Sequence, residues 1–277
     1  MKNLLILVLA SVLSFPAFSQ SGYTEAELKQ KCDSILEEGN LLYRHEAAAW
    51  RFTDLYQNNQ VLIGATGGYL AYQQGDSIKC ILTDREAKEC IFEAAFINET
   101  FLCYTHENKR ELSAYETELL STRRSIWKEL SEKKIGISQY AGFTPNWILI
   151  PFENGYKLYS ICGTNRKGII PFGNDYLFVA NKQGELQTWR KLHSRPIPAE
   201  VTSDMKFITT AIHSHLRQEP FITATDICTF RLYYDQTGTT EFSVYSPALS
   251  LYFTYHLSTN TITFSKELKP HTVEPQA

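Results

Sequence analysis

No stretch of this chain approaches the roughly 18 uninterrupted apolar residues that a membrane-spanning helix needs. The longest apolar run, Leu4 to Phe15, is already broken by Ser11 and Ser14. The six cysteines form no Cys-x-x-Cys pair, so neither a zinc knuckle nor a thioredoxin-type redox motif is present. No serine sits in a Gly-x-Ser-x-Gly elbow. Gly64-Ala65-Thr66-Gly67-Gly68 is glycine-rich but lacks both the P-loop lysine and the dinucleotide spacing; it reads as a bulge or a close strand approach. Lys and Arg are scattered rather than clustered, which argues against a nucleic-acid or anionic-membrane surface. Carboxylate pairs such as Glu37-Glu38 fall on a predicted helix surface, where they solvate rather than perform glycoside chemistry.

What is there begins with an export signal. Lys2 precedes the apolar run, and Ala17-Phe18-Ser19 offers small residues at the two positions a signal peptidase reads, which predicts a signal peptide over residues 1–19 and cleavage before Gln20. Removing nineteen of the 277 residues would leave 258, and losing Lys2 would take the formal net charge from −3 to −4. The expected location is periplasmic or extracellular, where disulfides are permitted. Cys80 and Cys90 flank a polar turn centred on Arg85 and would face one another in a simple hairpin; the alternative is that both are small buried hydrophobes.

The apolar periodicities predict an α+β chain in two parts. Residues 20–134 read as a helix from Thr24 to Glu38 stopped by Gly39-Asn40, an undecided stretch from Ala47 to Tyr56, and an antiparallel meander. Its strands are Val61 to Gln73, Ser77 to Leu82 and Glu89 to Ile97, followed by a long helix from Asn108 to Lys133. Gly136 and Gly142 ahead of Pro145 mark a boundary, and residues 135–277 read as a β-rich domain. There, strands Trp147–Phe152, Tyr156–Cys162, Tyr176–Ala180 and Leu186–Leu192 precede a loop at Arg195–Pro198. The strand Met205–His215, a short helix Asp226–Tyr234, and strands Glu241–Tyr245, Leu249–Leu257 and Thr261–Ser265 then close the sheet ahead of a polar tail beyond Lys269.

Chemistry concentrates on Ile212-His213-Ser214-His215 and on Asp226 beyond it. Side chains alternate along a strand, so His213 and His215 project from one face about 7 Å apart along the backbone. That spacing lets two imidazoles converge on one cation, with a carboxylate as a third ligand. Each residue also has a plainer use. Thr223 and Asp226 have the spacing of a capping box, and two histidines on a strand face are often polar groups satisfied by their neighbours. His193 ends a strand and has the position of a partner behind a ligand; His256, in a late strand, reads as structural.

His213-Ser214-His215, seven residues, Thr223, two residues and Asp226 together resemble the JAMM motif of the JAB/MPN family, whose form is His-x-His-Pro followed by Ser-x-x-Asp. An apolar strand leading into the first histidine and a helix opening at the Asp are similar to that family's context, most of all to its divergent bacterial members. The resemblance implies that His213, His215 and Asp226 bind zinc, that a water fills the fourth position, and that the zinc-activated water hydrolyses a peptide or isopeptide bond in a peptide or protein substrate. It implies that Thr223, standing where the family has serine, donates to a developing oxyanion. The family's general base is an upstream glutamate; Glu153 and Glu185, both in predicted turns, are the ones available. Leu216 stands where the family has proline. The other function the sequence allows is a non-catalytic envelope or surface binding module with a degenerate site.

Overall fold

The computed structural model describes residues 22–98, 101–107, 109–200, 211–236 and 239–268. The expected signal peptide, residues 205–210 of the histidine strand and the tail beyond Lys269 lie outside the described residues.

The chain is α+β, as its periodicities predict. Helix α1 (Glu25–Tyr56) begins at Thr24 with a capping box: the Glu27 backbone N–H donates to the Thr24 hydroxyl at 3.3 Å, and the Thr24 N–H donates to Glu27 Oε2 at 2.8 Å. It does not stop at Gly39-Asn40 but runs on for 32 residues, absorbing the undecided stretch at Ala47–Tyr56. Gly39 is there for contact. A Cβ at that position would meet Ile227 Cβ at 2.9 Å and the Ala224 carbonyl oxygen at 3.2 Å, so the glycine lets a second helix cross at close range.

A short helix α2 (Gln60–Ala65) is capped by Asn59, whose side chain accepts the N–H groups of Val61 and Leu62. The first residues of the strand expected from Val61 are therefore helical. Next come β1 (Thr66–Gln74), β2 (Ser77–Asp84), β3 (Glu89–Ile97) and β4 (Phe101–His106), in the antiparallel order β1-β2-β3-β4, with β5 (Arg110–Glu111) also pairing β3. The Gly67-Gly68 pair marks a register shift in β1 as expected, and a Cβ on Gly67 would lie 2.5 Å from the Asp84 carbonyl oxygen. Cys80 and Cys90 do not face one another. The register pairs Cys80 with Ala94 and Thr83 with Cys90, and the two thiols enter different apolar clusters; all six cysteines are free.

Helix α3 (Ala114–Glu132) starts later than Asn108, at a Ser113–Glu116 capping box, because Arg110 and Glu111 are taken into the sheet. Beyond it are β6 (Thr144–Phe152), β7 (Gly155–Gly163), β8 (Ile169–Gly173), β9 (Tyr176–Asn181), β10 (Leu186–Lys191) and β11 (Pro196–Glu200). Strands β10-β9-β7-β6 form one antiparallel sheet, and β8 pairs β11 apart from it. The loop expected at Arg195–Pro198 is thus largely strand, its prolines in a ribbon that is two-stranded among the described residues. Strand β12 (Ala211–Ser214), helix α4 (Ala224–Tyr233), β13 (Glu241–Ser246), β14 (Leu251–His256) and β15 (Thr261–Ser265) complete the described chain, with sheet order β12-β13-β14-β15. Strand β12 runs parallel to β13, so α4 is the crossover between them.

The apolar packing is organised around α1. Its first turns bury Leu28 and Cys32 with Phe172 of β8, Phe230 of α4 and Phe242 of β13. Its middle buries Leu42 with Tyr159, Leu177 and Cys228. Its last turns place Ala48 and Phe52 against Ile78, Phe92 and Phe96 of the meander. A further cluster joins Leu70 and Tyr72 of β1 and Leu119 and Ile126 of α3 to Leu158 and Phe178 of the second sheet, so buried contacts cross residue 135. No helix among the described residues is long and apolar enough to cross a membrane.

Candidate metal centre

The cluster is built where three pieces of backbone meet. Strand β12 is held on β13 by its parallel ladder, and the His215 N–H extends that pairing to the Tyr245 carbonyl at 3.0 Å. His213 and His215 then project on one face, as strand alternation requires. Helix α4 begins at Thr223, whose backbone is extended, and carries Asp226 in its first turn. The third piece comes from β9 and β10. Lys191 pairs Tyr176, and the Leu192 N–H donates to the Asp175 carbonyl at 2.9 Å, so Asp175 and His193 emerge side by side.

One ligand atom from each of His193, His213, His215 and Asp226 lies within 4.8 Å of the other three. His215 Nε2 is 2.9 Å from His193 Nε2 and 3.1 Å from His213 Nε2. Asp226 Oδ1 is 3.4 Å from His193 Nε2 and 3.2 Å from His213 Nε2, and Asp226 Oδ2 is 3.1 Å from His215 Nε2. The four are exposed by only 1 %, 7 %, 4 % and 1 %, which leaves water little role in satisfying them.

Hydrogen bonds among these groups alone do not satisfy them. His193 Nδ1 is 2.6 Å from Asp175 Oδ1. In the neutral ring that contact takes the proton on Nδ1 and leaves Nε2 as a lone pair. His215 Nε2 meets two nitrogens and a carboxylate oxygen but carries at most one proton. His215 Nδ1 and Asp226 Oδ1 are both buried without a hydrogen-bond partner. A buried polar atom left unpaired costs about 1–3 kcal/mol, more when charged. Lone pairs crowded round a common point, with an orphaned carboxylate oxygen among them, are the arrangement a cation resolves. Donors around a tetrahedral zinc at about 2.0–2.1 Å stand about 3.4 Å from one another, and the contacts of 2.9–3.4 Å above, made with both oxygens of Asp226, lie near that value. These four residues could hold a metal ion.

The electrostatics point the same way. Burial opposes ionisation of Asp226, but the three imidazoles outweigh it and hold the carboxyl well below the usual range. Burial likewise disfavours the His193 cation, yet Asp175 and Asp226 prevail and push its pKa up to about 9. For His213 burial wins, and its pKa falls below the ordinary value. Without a metal, the two carboxylates favour the charged form of His193, while burial favours the neutral form of His213.

Of the residues singled out from sequence, His213, His215 and Asp226 come together. Thr223 caps α4: its hydroxyl accepts the Asp226 N–H at 3.2 Å and donates to Asp226 Oδ2 at 2.7 Å. Glu153 and Glu185 are exposed in the β6–β7 and β9–β10 turns, and Glu185 is occupied with Asn181. Strand β9 separates Glu185 from Asp175, about 20 Å at the rise of a strand. Neither glutamate is brought to the cluster. His193 stands as a fourth donor rather than behind one. Asp175 and Thr225, which had no sequence signal, support it: the Thr225 hydroxyl donates to Asp175 Oδ2. His256 is tied to Glu241 and Thr263, a structural use. A cavity of about 270 Å³ adjoins the cluster, lined by Leu192, Glu219, Phe221 and Thr223 among others, but by none of the four donors.

No family model, no curated protein and no solved structure matches this chain.

Proposed function

We propose that this is an exported zinc-binding protein, with a site related to the JAMM pattern, in which the metal braces the fold of a non-catalytic envelope or surface module. The observation that carries this is His193, whose Nε2 lies 2.9 Å from His215 Nε2 and makes a fourth protein donor where a hydrolytic zinc keeps water. Three imidazoles and a carboxylate are a donor set zinc accepts, and the buried, closed setting is that of structural zinc. A bound zinc would supply the positive charge that the three nitrogen lone pairs and Asp226 Oδ1 face. The test is elemental analysis of the purified mature chain with His213→Ala and Asp226→Asn. Near-stoichiometric zinc in the wild type, absent from both variants, is expected. No metal after zinc is supplied and the excess removed would overturn the reading.

A hydrolytic reading has one observation in its favour. Glu219, whose carboxyl is raised by burial, lines the cavity beside Thr223, as a general base near a substrate cleft would. Its carboxylate is, however, paired with Arg190 at 3.2 Å. Cleavage of peptide or isopeptide substrates by the zinc form, lost in Glu219→Gln, would favour this reading over the first.

A further inference from the structure

We propose that Asp175 and Thr225 are positioning residues that commit His193 to the metal and so keep the fourth position closed to water. This rests on the metal reading above.

Asp175 is 3 % exposed, so its carboxylate must be satisfied from within the protein. Both oxygens are used: Oδ1 faces His193 Nδ1 at 2.6 Å, and Oδ2 accepts the Thr225 hydroxyl. A histidine that gives its Nδ1 proton to a carboxylate presents Nε2 as a lone pair, in one tautomer and one ring orientation. The carboxylate itself has little freedom. Its backbone carbonyl accepts the Leu192 N–H, and the preceding Asn174 is pinned by a side-chain bond to the Ser138 carbonyl at 2.8 Å.

Thr225 adds a coupling between elements. It stands one residue before Asp226, on the first turn of α4, and is 1 % exposed. The helix end that presents the metal carboxylate therefore also grips the carboxylate that aims His193. Docking of α4 sets both at once. The cavity beyond Thr223 reaches none of the four donors, so a molecule lodged there would meet the cap and not the metal.

The experiment loads the full mature chain with cobalt(II) in place of zinc and titrates it with azide, an anion that binds only where a coordination position is open. In the wild type, the visible spectrum is expected to stay unchanged by azide. In His193→Gly, azide should shift the spectrum, and added imidazole should restore the wild-type bands and abolish the shift. Asp175→Asn should bind metal about 10–100 times more weakly than the wild type in equilibrium competition with a chelator, with Thr225→Val changed less in the same direction. A wild-type cobalt form that azide shifts as readily as His193→Gly would overturn the closed position, whatever the variants do. Equal metal affinities of wild type and Asp175→Asn would overturn the positioning role while the metal site stands. A wild type that takes up neither cobalt nor zinc would instead sink the metal reading beneath both.

Discussion

Thr223 and Asp226 satisfy each other across the first turn of α4, and the Asp226 oxygen not engaged by the threonine is the one that faces His193 and His213. A helix cap and a metal ligand are usually offered as rival explanations of a Thr-x-x-Asp sequence. Here a single carboxylate has the geometry for both, because its two oxygens point to different neighbours. The cap fixes the rotamer, and the fixed rotamer aims Oδ1.

Substitution of the threonine separates the two uses. Thr223→Ala removes the hydroxyl half of the cap, while the backbone N–H at 223 still donates to Asp226 Oδ2 and holds its rotamer, so it should cost about 1 kcal/mol of stability while the chain still binds one equivalent of metal. Urea melts beside metal analysis would show this. Loss of metal together with stability would mean that the cap, not the donor set, decides binding.

Gly39→Ala should destabilise the protein even though alanine favours helix by about 1 kcal/mol. The added methyl would sit 2.9 Å from Ile227 Cβ, with the Ala224 backbone close behind, and overpacking of this kind costs about 1–3 kcal/mol. In a double-mutant cycle with Ile227→Ala, the combined loss should be smaller than the sum of the two single losses. Simple additivity would show that the two helices do not meet there.

Glu46 gives a pH signature independent of the metal. It is buried in α1 with the Trp50 indole N–H donating to its Oε1 at 2.8 Å; burial raises its pKa from 4.5 to about 7, against the lowering effect of that bond. The folded chain thus holds this proton more tightly than the unfolded chain. The group's contribution is most favourable below pH 4.5, declines as pH rises to about 7, and is level above that. A shift of this size corresponds to about 3 kcal/mol. Denaturant melts at pH 5 and pH 7.5 should show the decline in the wild type and lose it in Glu46→Gln.

Thiol counting tests the cysteine assignments. Cys103 is exposed and the other five are buried, so a thiol reagent should titrate one group in the folded chain and six after denaturation without reductant. Four groups after denaturation would mean that two of the cysteines are bridged after all.

The sequence shows His213, His215 and Asp226 plainly because each belongs to a local pattern: strand alternation for the pair, a helix start for the acid. His193 and Asp175 have no such pattern. They meet through the β9–β10 ladder, 18 residues apart, and the identity of what His193 faces is settled only when β12 docks. Gly39 was misread for a related reason. A glycine that ends a helix and one that admits a neighbour look the same in a window of residues, and the discriminating partner, Ile227, lies far along the chain. Pro196 and Pro198 argue for a loop until β8 is known to pair them at an edge. Element types with strong periodicity were legible; what depended on a distant partner was not.

The reach of α1 carries a consequence for how the protein comes into being. Leu28 and Cys32 share one buried cluster with Phe242 and Phe253, which follow them by about 210 to 225 residues. The first turns of α1 cannot complete that cluster until β13 and β14 have been made. Contacts of that sequence separation slow folding, and a chain that lacks those strands leaves that face of the helix uncovered. Folding would then finish as a late and concerted event, with β13 and β14 closing over α1.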